Sequence, residues 1–194
     1  MLVRAYLQGA FPMAEGTDGQ VYWYSPDPRA IIPIRPNDPL GSFRVRRSLA
    51  KRVRNAGFEI AFDHQFEQVM RQCAAPRPGE SGSWISPEIT AAYCELHAHG
   101  LAHSVEAYRN GQLVGGLYGV SLGGAFFGES MFSREKDASQ VCLVHLVERL
   151  QDRGFRLLDV QFRNDHLDKF GIVEIPRDRY LVLLDQAVER LVEW

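Results

Sequence analysis

Two short stretches carry residue types that packing alone does not require. Gly128-Glu129-Ser130-Met131-Phe132-Ser133-Arg134 sets one acid between apolar segments. Leu158-Asp159-Val160-Gln161, followed by Asn164-Asp165-His166, sets an acid and an amide in an apolar run. Side chains on a strand repeat every two residues, so Asp159 and Gln161 are expected on one side, and at the end of a central strand they make a polar cleft. The alternative is that both only cap neighbouring backbone groups. A third candidate is cationic: Arg44, Arg46, Arg47, Lys51, Arg52 and Arg54 fall within eleven residues with no acid among them. In a chain of net charge −2 such a block is either a solvated helix face or a polyanion contact, with weak, salt-sensitive phosphate binding.

Other chemistries fail on spacing. His97, His99 and His103 match no standard zinc pattern, and no cysteine pair or sequence-near carboxylate completes a site, so no metal is expected. Gly128-Glu129-Ser130-Met131-Phe132 lacks the second glycine of a nucleophile elbow, which leaves Ser130 without forced exposure. No Gly-x-x-x-x-Gly-Lys run is present to cradle a nucleotide phosphate.

The elements that position these residues follow from periodicity. The 194 residues are 45% hydrophobic and 24% charged, which excludes disordered and fibrous classes and suits one globular unit with a small appended lobe. No apolar run approaches the ~18 residues of a membrane span. Cys73, Cys94 and Cys142 sit in apolar helical patterns and read as reduced, buried thiols of a cytoplasmic protein. Prolines at 26, 28, 33, 36 and 39 allow only edge strands or extended chain, so residues 1–40 form a Pro- and aromatic-rich N-terminal lobe and residues 41–194 the main domain. A helix follows Ser48, another runs from about Asp63 to Ala74, and residues 75–83 are a loop. Ser86-Pro87-Glu88 starts a helix that stops at Gly100. The period then changes to two: Ser104–Tyr108 and Leu113–Val120 flank an Asn110-Gly111 turn, and Ala125–Ser130 is a third strand. Asp137 with Gln140 reads as a capping box opening a helix that Gly154 ends, before a strand over Phe155–Gln161 and a helix over Tyr180–Val192. The order is α+β with a mixed sheet flanked by helices.

These stretches together resemble the bacterial leucyl/phenylalanyl-tRNA–protein transferase family. The resemblance runs nearly end to end: Ala5-Tyr6-x-x-Gly9-x-Phe11-Pro12-Met13, Trp23-Tyr24-Ser25-Pro26-Asp27-Pro28-Arg29, Arg47-Ser48-Leu49, Phe62-Asp63 and Ser83-Trp84-Ile85. It continues through Ala102-His103-Ser104-Val105-Glu106, Leu113–Val120, Gly128–Ser133 and Asp137-Ala138-Ser139. It implies a GCN5-related acetyltransferase-like domain behind a small N-terminal lobe. It also implies transfer of Leu or Phe, in some cases Met, from aminoacyl-tRNA to proteins beginning with Arg or Lys. The new N-terminus is a degradation signal read by ClpS–ClpAP. No cofactor is implied, and the acetyl-CoA signature of ordinary acetyltransferases is absent from the sequence.

By the same resemblance Asp159 and Gln161 are the catalytic pair, Gln161 against the attacking amine and Asp159 polarising it, with Asn164 fixing Gln161. Glu129 binds the cationic end of the acceptor. Leu117, Phe126, Met131 and Leu158 match the pocket for the donor side chain, and Trp84 and Met13 match positions near the terminal adenosine. Some family members have Trp where this chain has Met13. The basic block from Arg44 to Arg54 would hold the acceptor stem by its phosphates. Three rival readings are a peptidoglycan-precursor aminoacyltransferase, for which the chain is short, a CoA-dependent acetyltransferase, and a non-catalytic adaptor that binds tRNA or basic N-termini.

Overall fold

Proline placement decides where the first strands lie. The computed structural model describes residues 1–15, 20–55, 57–76 and 83–194; most of the loop expected over 75–83 lies outside the described residues. After α1 (Leu2–Leu7), β1 (Phe11–Glu15) and β2 (Gln20–Tyr24) pair antiparallel as a separate two-stranded sheet. β3 (Arg29–Ile32) is fully buried and lies inside the main sheet, not at an edge. Pro28 and Pro33 bracket it, so four residues that all keep their N–H groups form the strand, and the proline restriction does not touch its ladder. The boundary expected near Leu40 therefore falls after a strand that belongs to the larger sheet.

Next come α2 (Arg47–Asn55), β4 (Glu59–Phe62), α3 (Phe66–Ala74), α4 (Pro87–Ala98), β5 (Ala102–Arg109), β6 (Gln112–Leu122) and β7 (Ala125–Ser133). The chain ends with α5 (Ala138–Asp152), β8 (Leu157–Gln161), α6 (Asp165–Asp168), β9 (Val173–Ile175) and α7 (Arg177–Val188). The seven-stranded sheet has the order β4-β5-β6-β7-β8-β3-β9, and only the β7–β8 pair is parallel. The Asn110-Gly111 turn forms as its dipeptide predicts, both residues at positive φ. Ser86 caps α4, its Oγ accepting from Ile89 N at 3.2 Å.

Alternation along the strands sends side chains to two cores. One packs beneath α2 and α5, with Leu117, Phe126, Leu158 and Val147. The other packs beneath α1, α3, α4 and α7, with Tyr6, Tyr93, Phe127 and Tyr180. The expected α+β architecture is the one the chain adopts. Three local expectations are corrected. The capping box does not form: Asp137 sits at the N-cap with a φ of +67° and makes no side-chain cap bond, its carboxylate accepting from Arg52 Nε at 3.1 Å instead. Ser139 N finds its acceptor in Ser133 Oγ of β7, 2.9 Å away. The helix expected from about Asp63, α3, begins at Phe66, because Asp63 at φ +58° belongs to the bend before it. The last helix spans 177–188, its first turn hidden by the polar run Arg177-Asp178-Arg179. Cys73 and Cys142 are buried free thiols, while Cys94 is only half-buried. Among the described residues no helix is long and apolar enough to cross a membrane.

Candidate active site

Parallel pairing of β7 with β8 stops at Phe127 opposite Asp159. Beyond that point Gly128–Ser133 stays paired with β6 while Gln161 stays paired with β3, so β7 and β8 part. A cleft of about 940 Å³ opens in the gap. Two β-bulges mark its mouth. Tyr118 pairs with Ser130 and Gly119 with Gly128, which leaves Glu129 as the extra residue of β7. Ala30 pairs with Gln161 and Ile31 with Asp159, which leaves Val160 as the extra residue of β8. A bulge re-aims the side chains beside it. Here the two meet across the gap: Gln161 Nε2 donates to Glu129 Oε1 at 3.1 Å.

Glu129 is held from below by two tyrosines. Tyr6 OH donates to Oε1 at 2.7 Å and Tyr93 OH to Oε2 at 3.2 Å; the two hydroxyl oxygens also lie in close contact, but with both protons given to Glu129 neither donates to the other. Desolvation pushes the Glu129 carboxyl up to about 7, and the charge of Asp159 adds to this; the tyrosine hydroxyls and Arg29 pull the other way. Three donors on two carboxylate oxygens leave one lone-pair position on Oε2 for an incoming donor. Burial also raises both tyrosine hydroxyls well above their ordinary value, so they serve as donors.

Asp159 is not in the cleft. It is fully buried, and every acceptor position is taken: Arg29 Nε and Nη2 donate at 2.9 and 2.6 Å, Tyr180 OH at 2.7 Å, and Gln161 N at 2.9 Å. The expectation that Asp159 and Gln161 face one polar side is thus half right. Val160 is the inserted residue and Gln161 has a φ of +59°, with Phe162 N donating to Val160 O at 2.7 Å across it, a γ-turn. The turn carries the Gln161 side chain out to Glu129 while Asp159 stays inside, bonding the Gln161 backbone. Asn164 does not fix Gln161: its Oδ1 caps α6 by accepting from Leu167 N at 2.9 Å, although it lines the cleft.

The apolar end of the cleft lies on the α5 side, where Leu117, Met131 and Leu158 are joined by Leu143 and Leu146 of α5, which sequence reasoning passed over as core. Phe126 does not line it; its ring is buried and stacked on Trp194 at 5.3 Å. Met13 and Trp84 line the cleft together, their segments tied by Ala14 N donating to Trp84 O at 3.2 Å. Arg29, Tyr6, Tyr93 and Tyr180 were also missed. The tyrosines sit at core spacing, and only Arg29 carried a signal, a lone cation heading the apolar run Ala30-Ile31-Ile32.

In the basic block, Arg44, Arg46, Arg47, Lys51 and Arg54 are exposed and have no ion pair among the described residues, whereas Arg52 pairs with Asp137. Arg44 N donates to Phe170 O at 3.0 Å and Phe43 stacks on Phe170, which joins this segment to the residues just after α6, and α6 is a wall of the cleft. Among the histidines, His99 is exposed, but His97 and His103 converge with Asp63, a carboxylate distant in sequence, their ligand atoms within 4.8 Å of one another. Most of these atoms already have partners. His103 Nδ1 faces Asp63 at 2.9 Å and its Nε2 faces Gly100 O at 3.1 Å; His97 Nδ1 faces Ala102 O at 2.8 Å; Trp194 Nε1 donates to Asp63 at 2.7 Å.

Residues 39–185 match the family model described as leucyl/phenylalanyl-tRNA protein transferase, and residues 1–27 match that of its N-terminal domain. A protein of that name from Chlorobium phaeobacteroides is 50% identical over 193 residues, covering 100% of this chain and 96% of its own length. One from Rhizorhabdus wittichii is 52% identical over 189 residues, covering 97% of this chain and 74% of its own. Among solved structures, a predicted acetyltransferase with acetyl-CoA from Clostridium acetobutylicum has a TM-score of 0.43 and 12% identity over 59% of this chain and 88% of that one. The structure of L-PGS from Bacillus licheniformis has a TM-score of 0.48 and 12% identity over 85% and 66%. Likeness at that level decides nothing about function.

Proposed function

The chain belongs to the leucyl/phenylalanyl-tRNA–protein transferase family, and from that premise we propose that it moves Leu or Phe from aminoacyl-tRNA onto proteins beginning with Arg or Lys, at the Glu129–Gln161 pair. It is an enzyme of the aminoacyltransferase class, with tRNA and protein as substrates. The reaction is aminolysis: the acceptor's α-amine attacks the ester carbonyl, the C–N bond forms, and the ribose oxygen leaves with a proton. The ester is already activated, so placing amine and carbonyl together supplies much of the rate.

One observation carries the assignment: a partly open carboxylate, bulged out of β7, faces a fixed amide across the mouth of an apolar pocket. The donor's side chain enters between Leu117, Met131 and Leu158. The vacant position on Glu129 Oε2 takes the acceptor's cationic end. Gln161 has Nε2 committed to Glu129, so its Oε1 is the acceptor left for the attacking amine. An amide is too weak a base to keep a proton, and its role is orientation. Met13 and Trp84 flank the terminal adenosine, and the basic face beside α6 holds the acceptor stem. The product, a cytoplasmic protein with a new Leu or Phe at its start, passes on this reading to ClpS–ClpAP.

The test is transfer of labelled Phe from Phe-tRNA to a peptide beginning with Arg, beside one beginning with Ala, with Asp159→Ala as control. Labelling of the Arg peptide alone, lost in the variant while tRNA still binds, is the expected result. A folded native protein that binds tRNA without transferring would replace the enzyme with an adaptor.

A further inference from the structure

The buried cation Arg29 has no place in the reaction as described, yet it is the most completely enclosed cation among the described residues. Its side chain is 1% exposed, lies between the rings of Phe11 and Tyr180 at 4.8 and 4.7 Å, and donates to Gly9 O at 3.0 Å as well as to both oxygens of Asp159. Burial works against its charge, and Asp159 more than offsets this, so the guanidinium is held protonated. Asp159 in turn accepts from the backbone N of Gln161, the residue at φ +59° that a side chain other than glycine rarely adopts. Such a conformation persists only where its surroundings over-determine it. The surroundings here are Arg29 from β3, Tyr180 from α7 and the bulge at Val160.

We infer that Arg29, with Tyr180, is a positioning residue for aminoacyl transfer: it clamps Asp159 so that Asp159 pins the Gln161 backbone and aims its amide at Glu129. This rests on the function proposed above and assigns Asp159 a different task within it. A carboxylate whose lone pairs are filled by four donor groups is a strut and has no room to receive a proton from the amine. The clamp also supports the acceptor site electrostatically. Glu129 is faced by Tyr6 from α1, Tyr93 from α4, Tyr118 from β6, Asp159 from β8 and Arg29 from β3; of these only Arg29 is cationic. Loosening Arg29 leaves the Asp159 charge less compensated and makes the Glu129 carboxylate harder to ionise.

The experiment compares the native chain with Arg29→Lys and Tyr180→Phe in the Phe-transfer assay, with melting temperature recorded for each. Lysine keeps the charge and loses the fork that spans Asp159 and Gly9 O. Expected for Arg29→Lys is a kcat lowered about 10- to 100-fold, with acceptor KM and tRNA affinity within about threefold of native. Its acid limb moves to higher pH. Tyr180→Phe, at a residue that does not line the cleft, is expected to lower kcat about three- to tenfold with the same split. Native kcat and pH profile in both folded variants, or a loss confined to KM, overturns the clamp. If Arg29→Lys does not fold, Tyr180→Phe decides alone, because it keeps Arg29 in place. A native protein without transfer activity sinks the function itself and is thereby told apart from failure of the clamp.

Discussion

At the scale of single residues, Glu129 sets a conflict between folding and function. Its carboxyl is raised from 4.5 to about 7, so the folded chain binds that proton more tightly than the unfolded one. The stability this gives is fully present below about pH 4.5 and is lost as the pH rises through 7, where acceptor binding, on the function proposed above, needs the charge. Glu129→Gln is therefore expected to melt with the native chain at pH 4.5 and to be more stable at pH 8 by about 1–3 kcal/mol, the full shift being discounted because the carboxylate opens on the cleft. Activity runs the other way. Below pH 7 the native log(kcat/KM) should approach a slope of two, one proton from Glu129 and one from the acceptor amine, and the variant should retain a slope of one at much lower activity. An unchanged slope would remove Glu129 from the acceptor site. Glu129, Asp159 and Gln161 were all legible in the sequence, because polar residues in apolar strands are expensive to bury. Their division of labour was not. It depends on two inserted residues, Glu129 and Val160, and a bulge leaves no mark on the period of its own strand when the partner is unknown. Tyr6 and Tyr93 stayed hidden for a simpler reason, since an apolar ring with one hydroxyl sits at core spacing whether or not the hydroxyl has work.

At the scale of elements, the opening between β7 and β8 is the device that makes a site from a sheet. Pairing past Phe127 and Asp159 would fill the space that the substrates need, and the bulge opposite Gly119 helps to end it. Gly119 cannot carry a side chain: a Cβ there would lie 2.2 Å from Phe127 O and 2.4 Å from the Phe126 ring. Gly119→Ala should cost about 2–3 kcal/mol of unfolding free energy, through the backbone shift that an overpacked core demands. Because that shift displaces the strand bearing Glu129, transfer should fall even below the melting temperature. Denaturant titration with activity measured well below the melting temperature separates the two effects, and a stable variant of native activity would show that the bulge does not need glycine. Turn and cap chemistry made most elements readable: Asn110-Gly111, Ser86-Pro87 and the glycines at 100 and 154 punctuate the chain in purely local terms. β3 was misread because proline counts describe a segment and not the four residues between two prolines. The Asp137–Gln140 pattern misled because Arg52, distant in sequence, claims the Asp137 carboxylate.

At the scale of the whole molecule, the basic 44–54 segment stands apart from the residues that line the cleft. The mouth of the cleft holds the Glu129 carboxylate and its inner walls are mainly apolar, while the cations of the 44–54 segment lie on the outer face, joined to the cleft through Phe43, Phe170 and α6. A chain of net charge −2 that keeps five cations on one short segment, none ion-paired among the described residues, attracts a polyanion locally without being basic overall. Such a face grips phosphates and reads no bases, so it should govern tRNA affinity and leave the reaction alone. Replacing Arg47, Lys51 or Arg54 by Ala should lower the slope of log Kd against log salt by roughly 0.7–0.9 for each residue. Transfer from a minimal aminoacyl-adenosine donor, which has no stem to hold, should be unaffected. Arg52→Ala makes the contrasting control: its charge is already spent on Asp137, so the variant should lose melting temperature through the α2–α5 contact and change the salt slope little. If instead Arg47→Ala, Lys51→Ala and Arg54→Ala slowed transfer from the minimal donor as much as from full tRNA, the 44–54 face would have to act on the cleft itself. Two walls of the cleft offer routes for that, the α6 segment through Phe170 and α5 through its contact with α2.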